Sequence, residues 1–333
     1  MPSGAAARLS ELLAPTHRLA LVGLAKNTGK TETLAAILAG HARAGVRVGV
    51  TSIGRDGEQH DVLDARISKP PVRLQAGALV ASTGPLLRAS AVPHERLVQT
   101  GIRTPLGEVV IARLREHGAL EVAGPSAASD VRLVCEAMLE LGAEQVLIDG
   151  AVDRRAASSP AVADALVMAT GAVLGEQPEQ VVAATVDAVE LVKLPLAADG
   201  DEGVALARDL VLAGEPADIA ALLERHPRAD TFLVNGALSE RFLEGLLAAR
   251  PPRAGRELRI VAEDPTRVFL SRRGPGWYGR QGIAIEVLRA IELRAITVNP
   301  VAPQSHSFDS AALRAAIAAA VGEVPVLDVR EAA

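Results

Sequence analysis

Short apolar runs alternate along the chain with stretches whose apolar residues recur every three or four positions. That alternation predicts strands interleaved with helices, and so an α/β fold: a mostly parallel sheet flanked by helices. Leu19–Ala25 reads as a first strand. Lys30–Ala44 reads as a helix, with Leu34, Ile37 and Leu38 at helical spacing and Gly45 as its stop. Val46–Thr51, Gly77–Ser82 and Val109–Leu114 read as further strands. The turn at His117-Gly118 before Leu120–Ala123 suggests a hairpin. Ser129–Leu141 reads as a helix capped by Ser129 or Asp130, and Val146–Ile148 as a short buried strand.

The later part repeats the alternation less clearly. Ala165–Ala169 reads as a strand and Glu179–Val192 as a helix. Asp201–Ala213, Pro216–Arg225 and Gly282–Ile291 read as helices. Thr231–Val234, Leu258–Val261, Val268–Leu270 and Ala295–Val298 read as strands. Helix Asp309–Val321 and strand Val324–Val329 follow. The loop-like stretches at 197–203 and 250–256 are the best boundary candidates. The expected division is a nucleotide-binding core over residues 1–196 and a C-terminal α/β part over 197–333, either separate or continuous with the same sheet.

Composition narrows the function. Lys and Arg number 35 against 40 Asp and Glu, a net charge of -5, which argues against a general nucleic-acid binder. Aromatic residues make up 2%, too few for base-stacking platforms. The single cysteine, Cys135, excludes an intrachain disulfide and a cysteine zinc cluster. No apolar stretch is long enough to span a bilayer and the N-terminus does not read as an export signal, so a soluble, cytoplasmic protein is expected.

The strongest chemical signal is Gly23-Leu24-Ala25-Lys26-Asn27-Thr28-Gly29-Lys30-Thr31. It leaves a strand and opens an amphipathic helix, the context a phosphate-binding loop (P-loop) requires. Lys26, Asn27, Thr28 and Gly29 would cradle phosphate oxygens of ATP with their backbone. Lys30 would reach the β- and γ-phosphates, where it is also a candidate catalytic group, and Thr31 would hold Mg²⁺. The usual pattern would place its first glycine at residue 24, which is leucine, with Gly23 one position early. A Gly-Lys-Thr turn capping an ordinary helix is the simpler alternative. The strand before, the helix after and an acidic strand downstream favour the phosphate loop.

That acidic strand is Val146-Leu147-Ile148-Asp149-Gly150, whose Asp149 would bind Mg²⁺ directly or through water. Asp153-Arg154-Arg155 follows and would either reach the phosphates or form a solvated loop. In Thr51–Glu58, Asp56 and Glu58 are candidates for metal binding or for orienting a water or hydroxyl. A glycine-rich surface turn is the alternative there. Weaker candidates are Thr100–Gly107 and Gly124-Pro125-Ser126 for a substrate cleft, Asn299 for base contact, and Trp277-Tyr278 for a partner surface. No Asn-Lys-x-Asp guanine signature is present, which tilts the base toward adenine.

Lys26-Asn27-Thr28-Gly29-Lys30-Thr31 resembles the loop of the molybdopterin-guanine dinucleotide biosynthesis adapters, in the P-loop class that also contains dethiobiotin synthetase. Together, Ala25–Thr31, Thr51–Glu58, Thr104–Gly107, Gly124-Pro125 and Asp149–Arg155 resemble the lysine 5,6-aminomutase reactivases. That second resemblance implies a slow ATPase acting as a chaperone. Its partners would be an adenosylcobalamin-dependent aminomutase and a MutS-like reactivase subunit. The alternatives are an ATP-dependent ligase or small-molecule kinase of the dethiobiotin synthetase type, or an adapter that binds nucleotide without hydrolysing it.

Overall fold

The computed structural model describes residues 5–14, 16–53, 71–150, 155–198, 203–249, 257–303 and 305–330. The chain divides into two compact units, one formed by Met1–Val182 with Glu292–Ala333 and the other by Ala183–Ile291. The boundary expected near residue 196 falls inside the second unit, and the last strands belong to the first.

The first unit carries a nine-stranded sheet. Its order is Val326–Leu327, Glu292–Asn299, Ala165–Gly171, Arg18–Gly23, Gln145–Gly150, Val48–Ser52, Leu79–Thr83, Gly107–Leu114 and His94–Thr104. The first seven run parallel, Gly107–Leu114 runs against them, and His94–Thr104 pairs antiparallel with Gly107–Leu114. Arg18–Gly23 lies centrally because nearly all of it is apolar and buried, as a strand covered on both faces must be. Leu19, Leu21, Leu34, Ile37, Val50 and Leu147 share one core that includes Leu9 and Leu13 of helix Ala5–Leu13. Helix Lys30–Ala44 buries Leu34, Ile37 and Leu38, the stripe read from its spacing.

Strand order changes direction beside Arg18–Gly23. The chain crosses from it to Val48–Ser52 on one side, returns to Gln145–Gly150, then passes over to Ala165–Gly171 on the other. Open α/β sheets bind ligands at the carboxyl ends of strands at such a switch point.

The second unit holds a parallel four-stranded sheet in the order Val204–Leu206, Thr231–Val234, Leu258–Ala262, Ile283–Val287. Two expected helices are corrected here. Gly282–Ile291 contains a strand, because burial alternates along Ile283, Ile285 and Val287. Those residues satisfy period two, while Ile283, Val287 and Ile291 imitate helical spacing. Asp201–Ala213 is not one helix: strand Val204–Leu206 precedes a short helix, Arg208–Ala213. The hairpin expected at His117-Gly118 is also different. Gly118–Leu120 pairs antiparallel with Val72–Leu74.

Candidate functional site

The site begins where Arg18–Gly23 ends. Parallel pairing sets Leu21 beside Asp149 on one side, and Gly23 beside Ala169 on the other. The Leu24 N–H donates to the Ala169 carbonyl at 2.9 Å, anchoring the loop at its start. Five residues, Leu24 to Thr28, separate Gly23 from Gly29. Gly23 permits a close approach: a Cβ there would sit 2.5 Å from the Thr28 hydroxyl oxygen. Thr28 is buried and donates to the Ala25 carbonyl at 3.0 Å, so its side chain ties the loop to itself. Asn27 has φ 65°, a left-handed conformation that asparagine tolerates better than most residues.

Gly29 caps helix Lys30–Ala44 with φ 86°, and a Cβ there would meet the Asn299 Cβ at 3.0 Å. Both constraints select glycine. No side chain caps the helix. Among the described residues, the backbone N–H groups of Gly29, Lys30, Thr31 and Glu32 meet no acceptor. Four consecutive donors therefore converge at the positive end of a 15-residue helix.

Lys30 and Asp149 form an ion pair, their side chains 22% and 15% exposed. The Asp149 carbonyl also accepts from the Ile53 N–H at 3.1 Å, joining the ends of two neighbouring strands. Thr31 is exposed on the first helical turn. Lys26 and Asn27 are exposed as well.

Asn299 ends strand Glu292–Asn299 and is nearly buried. Its amide nitrogen donates to the Asn27 carbonyl at 2.8 Å, and its Oδ1 accepts from the Val301 N–H at 3.2 Å. The side chain expected to contact a base is engaged with the loop. Two residues earlier, the buried Thr297 hydroxyl shares a 2.7 Å hydrogen bond with Thr33 Oγ1. Sequence reading missed this pair, because its partners lie far apart in the chain and neither carries a local signature.

Lys30, Thr31, Asp149 and Asn299 thus lie at the carboxyl ends of neighbouring central strands. Gly124 is there too, its Cα so close to the Ser52 carbonyl that no Cβ fits. Asp56, Glu58, Asp153 and Arg154 lie outside the described residues. Thr100–Gly107 spans the end of an edge strand and its turn, five strands from Arg18–Gly23 in sheet order. That placement corrects its reading as part of the cleft. Tyr278 is fully buried, with its hydroxyl on Glu240, so it offers no partner surface.

The donor set suits an anion. It suits a divalent cation only alongside that anion, since no group of three His, Cys, Asp or Glu side chains is found among the described residues. Mg²⁺ takes just that arrangement, one or two protein oxygens with phosphate and water completing its shell. Also among the described residues, no helix is long and apolar enough to cross a membrane. No protein-family model matches the chain, and neither curated proteins nor solved structures give a match.

Proposed function

We propose that the protein binds ATP with Mg²⁺ at the carboxyl end of strand Arg18–Gly23 and acts as a slow ATPase that reports nucleotide state to a protein partner. One observation carries this reading: four N–H donors with no acceptor among the described residues stand beside an exposed hydroxyl and a lysine–carboxylate pair. Donors at a helix N-terminus favour phosphate oxygens through hydrogen bonding and the helix dipole together. Lys30 exchanges Asp149 for the β- and γ-phosphate oxygens. Asp149 and Thr31 would hold the metal directly or through its waters. When bound, Mg²⁺ neutralises charge that develops on the transferred phosphoryl group.

Lys30→Ala is expected to weaken ATP binding about 100-fold, or ~2.7 kcal/mol, in line with loss of charge-assisted contacts. Asp149→Asn should weaken binding only in the presence of Mg²⁺. Calorimetry with unchanged ATP and GTP affinity in Lys30→Ala sinks the proposal, and a strong preference for GTP overturns the adenine assignment alone.

The kind of partner rests on the resemblance to aminomutase reactivases. A spent cobalamin leaves its enzyme only when that enzyme changes shape, and a nucleotide switch drives such a change by binding two states unequally. Phosphate release stimulated by a mutase supports this role. Stimulation by a small metabolite instead favours a ligase or kinase.

A further inference from the structure

A second site lies at the other end of the parallel strands. A cavity of about 1030 Å³ opens between helix Lys30–Ala44 and the amino ends of strands Val48–Ser52 and Leu79–Thr83. Its volume is that of a pocket for a small organic molecule. One wall is the apolar helix face Ala35, Leu38, Ala39 and Ala42. The remaining lining carries three guanidinium groups, on Arg47, Arg73 and Arg113, and no carboxylate among the described residues.

These arginines are not equivalent. Arg47 is balanced by Glu144 at 3.7 Å and donates to the Gly142 carbonyl at 2.7 Å. Half-buried Arg113 donates to the Leu141 carbonyl at 3.2 Å, which fixes one corner of the group. Among the described residues, neither Arg113 nor Arg73 has an ion-pair partner. A fixed guanidinium fork beside an apolar wall recognises an acidic head group in a planar, two-point manner while burying the body behind it.

We propose that this cavity is a binding site for a small organic anion, a carboxylate or sulfonate carrying an apolar body. It is separate from the phosphate loop and independent of the nucleotide reading. Polar anions without a body gain nothing from the helix wall. Neutral apolar molecules leave the two guanidinium groups unmatched.

A matched pair of dyes tests this: anilinonaphthalene sulfonate and its neutral counterpart phenylnaphthylamine, titrated by fluorescence. The expected result is one sulfonate dye per folded chain, bound about tenfold more tightly than the neutral dye, a difference of ~1.4 kcal/mol. Arg113→Gln and Arg73→Gln should each remove most of that preference and leave the neutral dye unchanged. Ala39→Trp, placed on the wall at an exposed position, should exclude both dyes, and Lys30→Ala should affect neither. Thermal melts verify that each variant is folded, and Arg73→Gln at its exposed position serves if Arg113→Gln does not fold. Equal affinity for the two dyes, no saturable binding, or arginine variants that bind like the parent overturn the proposal.

Discussion

Glu240 offers the most quantitative test of how the second unit is held together. It opens helix Glu240–Ala249 yet is 8% exposed, and its carboxylate is turned toward the Ser271–Arg273 segment. Oε2 accepts from the Ser271 N–H at 2.9 Å and the Ser271 hydroxyl at 2.6 Å. Oε1 accepts from the Arg273 N–H at 3.0 Å and the Tyr278 hydroxyl at 3.3 Å. The Arg272 N–H is shared by both oxygens at 3.1 Å. Glu240→Gln keeps the volume but replaces one acceptor by an NH₂ facing other donors. Two or more charge-assisted bonds are lost, each worth ~1.5 kcal/mol or more, so about 3 kcal/mol of stability should go. At a urea slope of ~1–3 kcal/mol/M, the unfolding midpoint falls by roughly 1–3 M. Trp277, the chain's single tryptophan, stands beside this segment, so its fluorescence reports this unit.

The pH dependence supplies the sign. Burial pushes the Glu240 carboxyl up, and the hydrogen bonds from Ser271, Arg272 and Arg273 outweigh it, so the folded group titrates below its ordinary value. Its contribution is therefore fully present above the unfolded carboxyl pKa of ~4.3 and is lost as pH falls through the lower folded value. The gap between parent and Glu240→Gln should be wide at neutral pH and close in acid. A midpoint unchanged by the substitution, or a gap that persists undiminished at acid pH, refutes this account of the carboxylate.

Further outcomes follow from the first unit. Asn299→Ala should release the Asn27 carbonyl and weaken ATP binding several-fold without altering the Mg²⁺ requirement, as measured by calorimetry; unchanged affinity removes Asn299 from loop positioning. Gly29→Ala should cost ~1–2 kcal/mol from its left-handed backbone and the Asn299 contact, read from thermal melts. Burial pushes the Cys135 thiol up to about 12, so thiol reagents at pH 8 should label it only after unfolding. Rapid labelling of the native protein contradicts that. A mutase inactivated in turnover should recover with this protein, its companion subunit, ATP, Mg²⁺ and fresh cofactor, but not with Lys30→Ala; equal recovery with both excludes an ATP-driven role.

Much of this was legible where the cause is local. Helix Lys30–Ala44 has the bounds read from its spacing, because an apolar stripe and flanking glycines act within a few residues. Thr231–Val234 and Pro216–Arg225 are equally local. Ile283–Val287 was misread because its apolar positions serve two periods, and only its neighbour Leu258–Ala262 decides between them. Strand His94–Thr104 carries no local signal because it is a half-exposed edge strand with charged residues and irregular register. At the site, Gly29, Lys30 and Thr31 were visible as a motif. The engagement of Asn299 with Asn27 was not, since its partners stand 272 positions apart and only the fold brings them together.

The insertion of Ala183–Ile291 between two strands of one sheet sets a biosynthetic order. On a nascent chain, Ala165–Gly171 is made long before the Glu292–Asn299 strand that pairs with it. Until then the sheet ends in an apolar, unpaired edge, the kind of surface that invites wrong pairing. The loop between Gly23 and Gly29 and the helix it opens meanwhile lack the Asn299 brace and the Thr33–Thr297 bond. A ribosome-bound fragment ending near residue 290 therefore possesses the whole Gly-Lys-Thr motif without the strand that steadies it. The finished geometry of this loop arrives near the end of synthesis, after the inserted unit has been made.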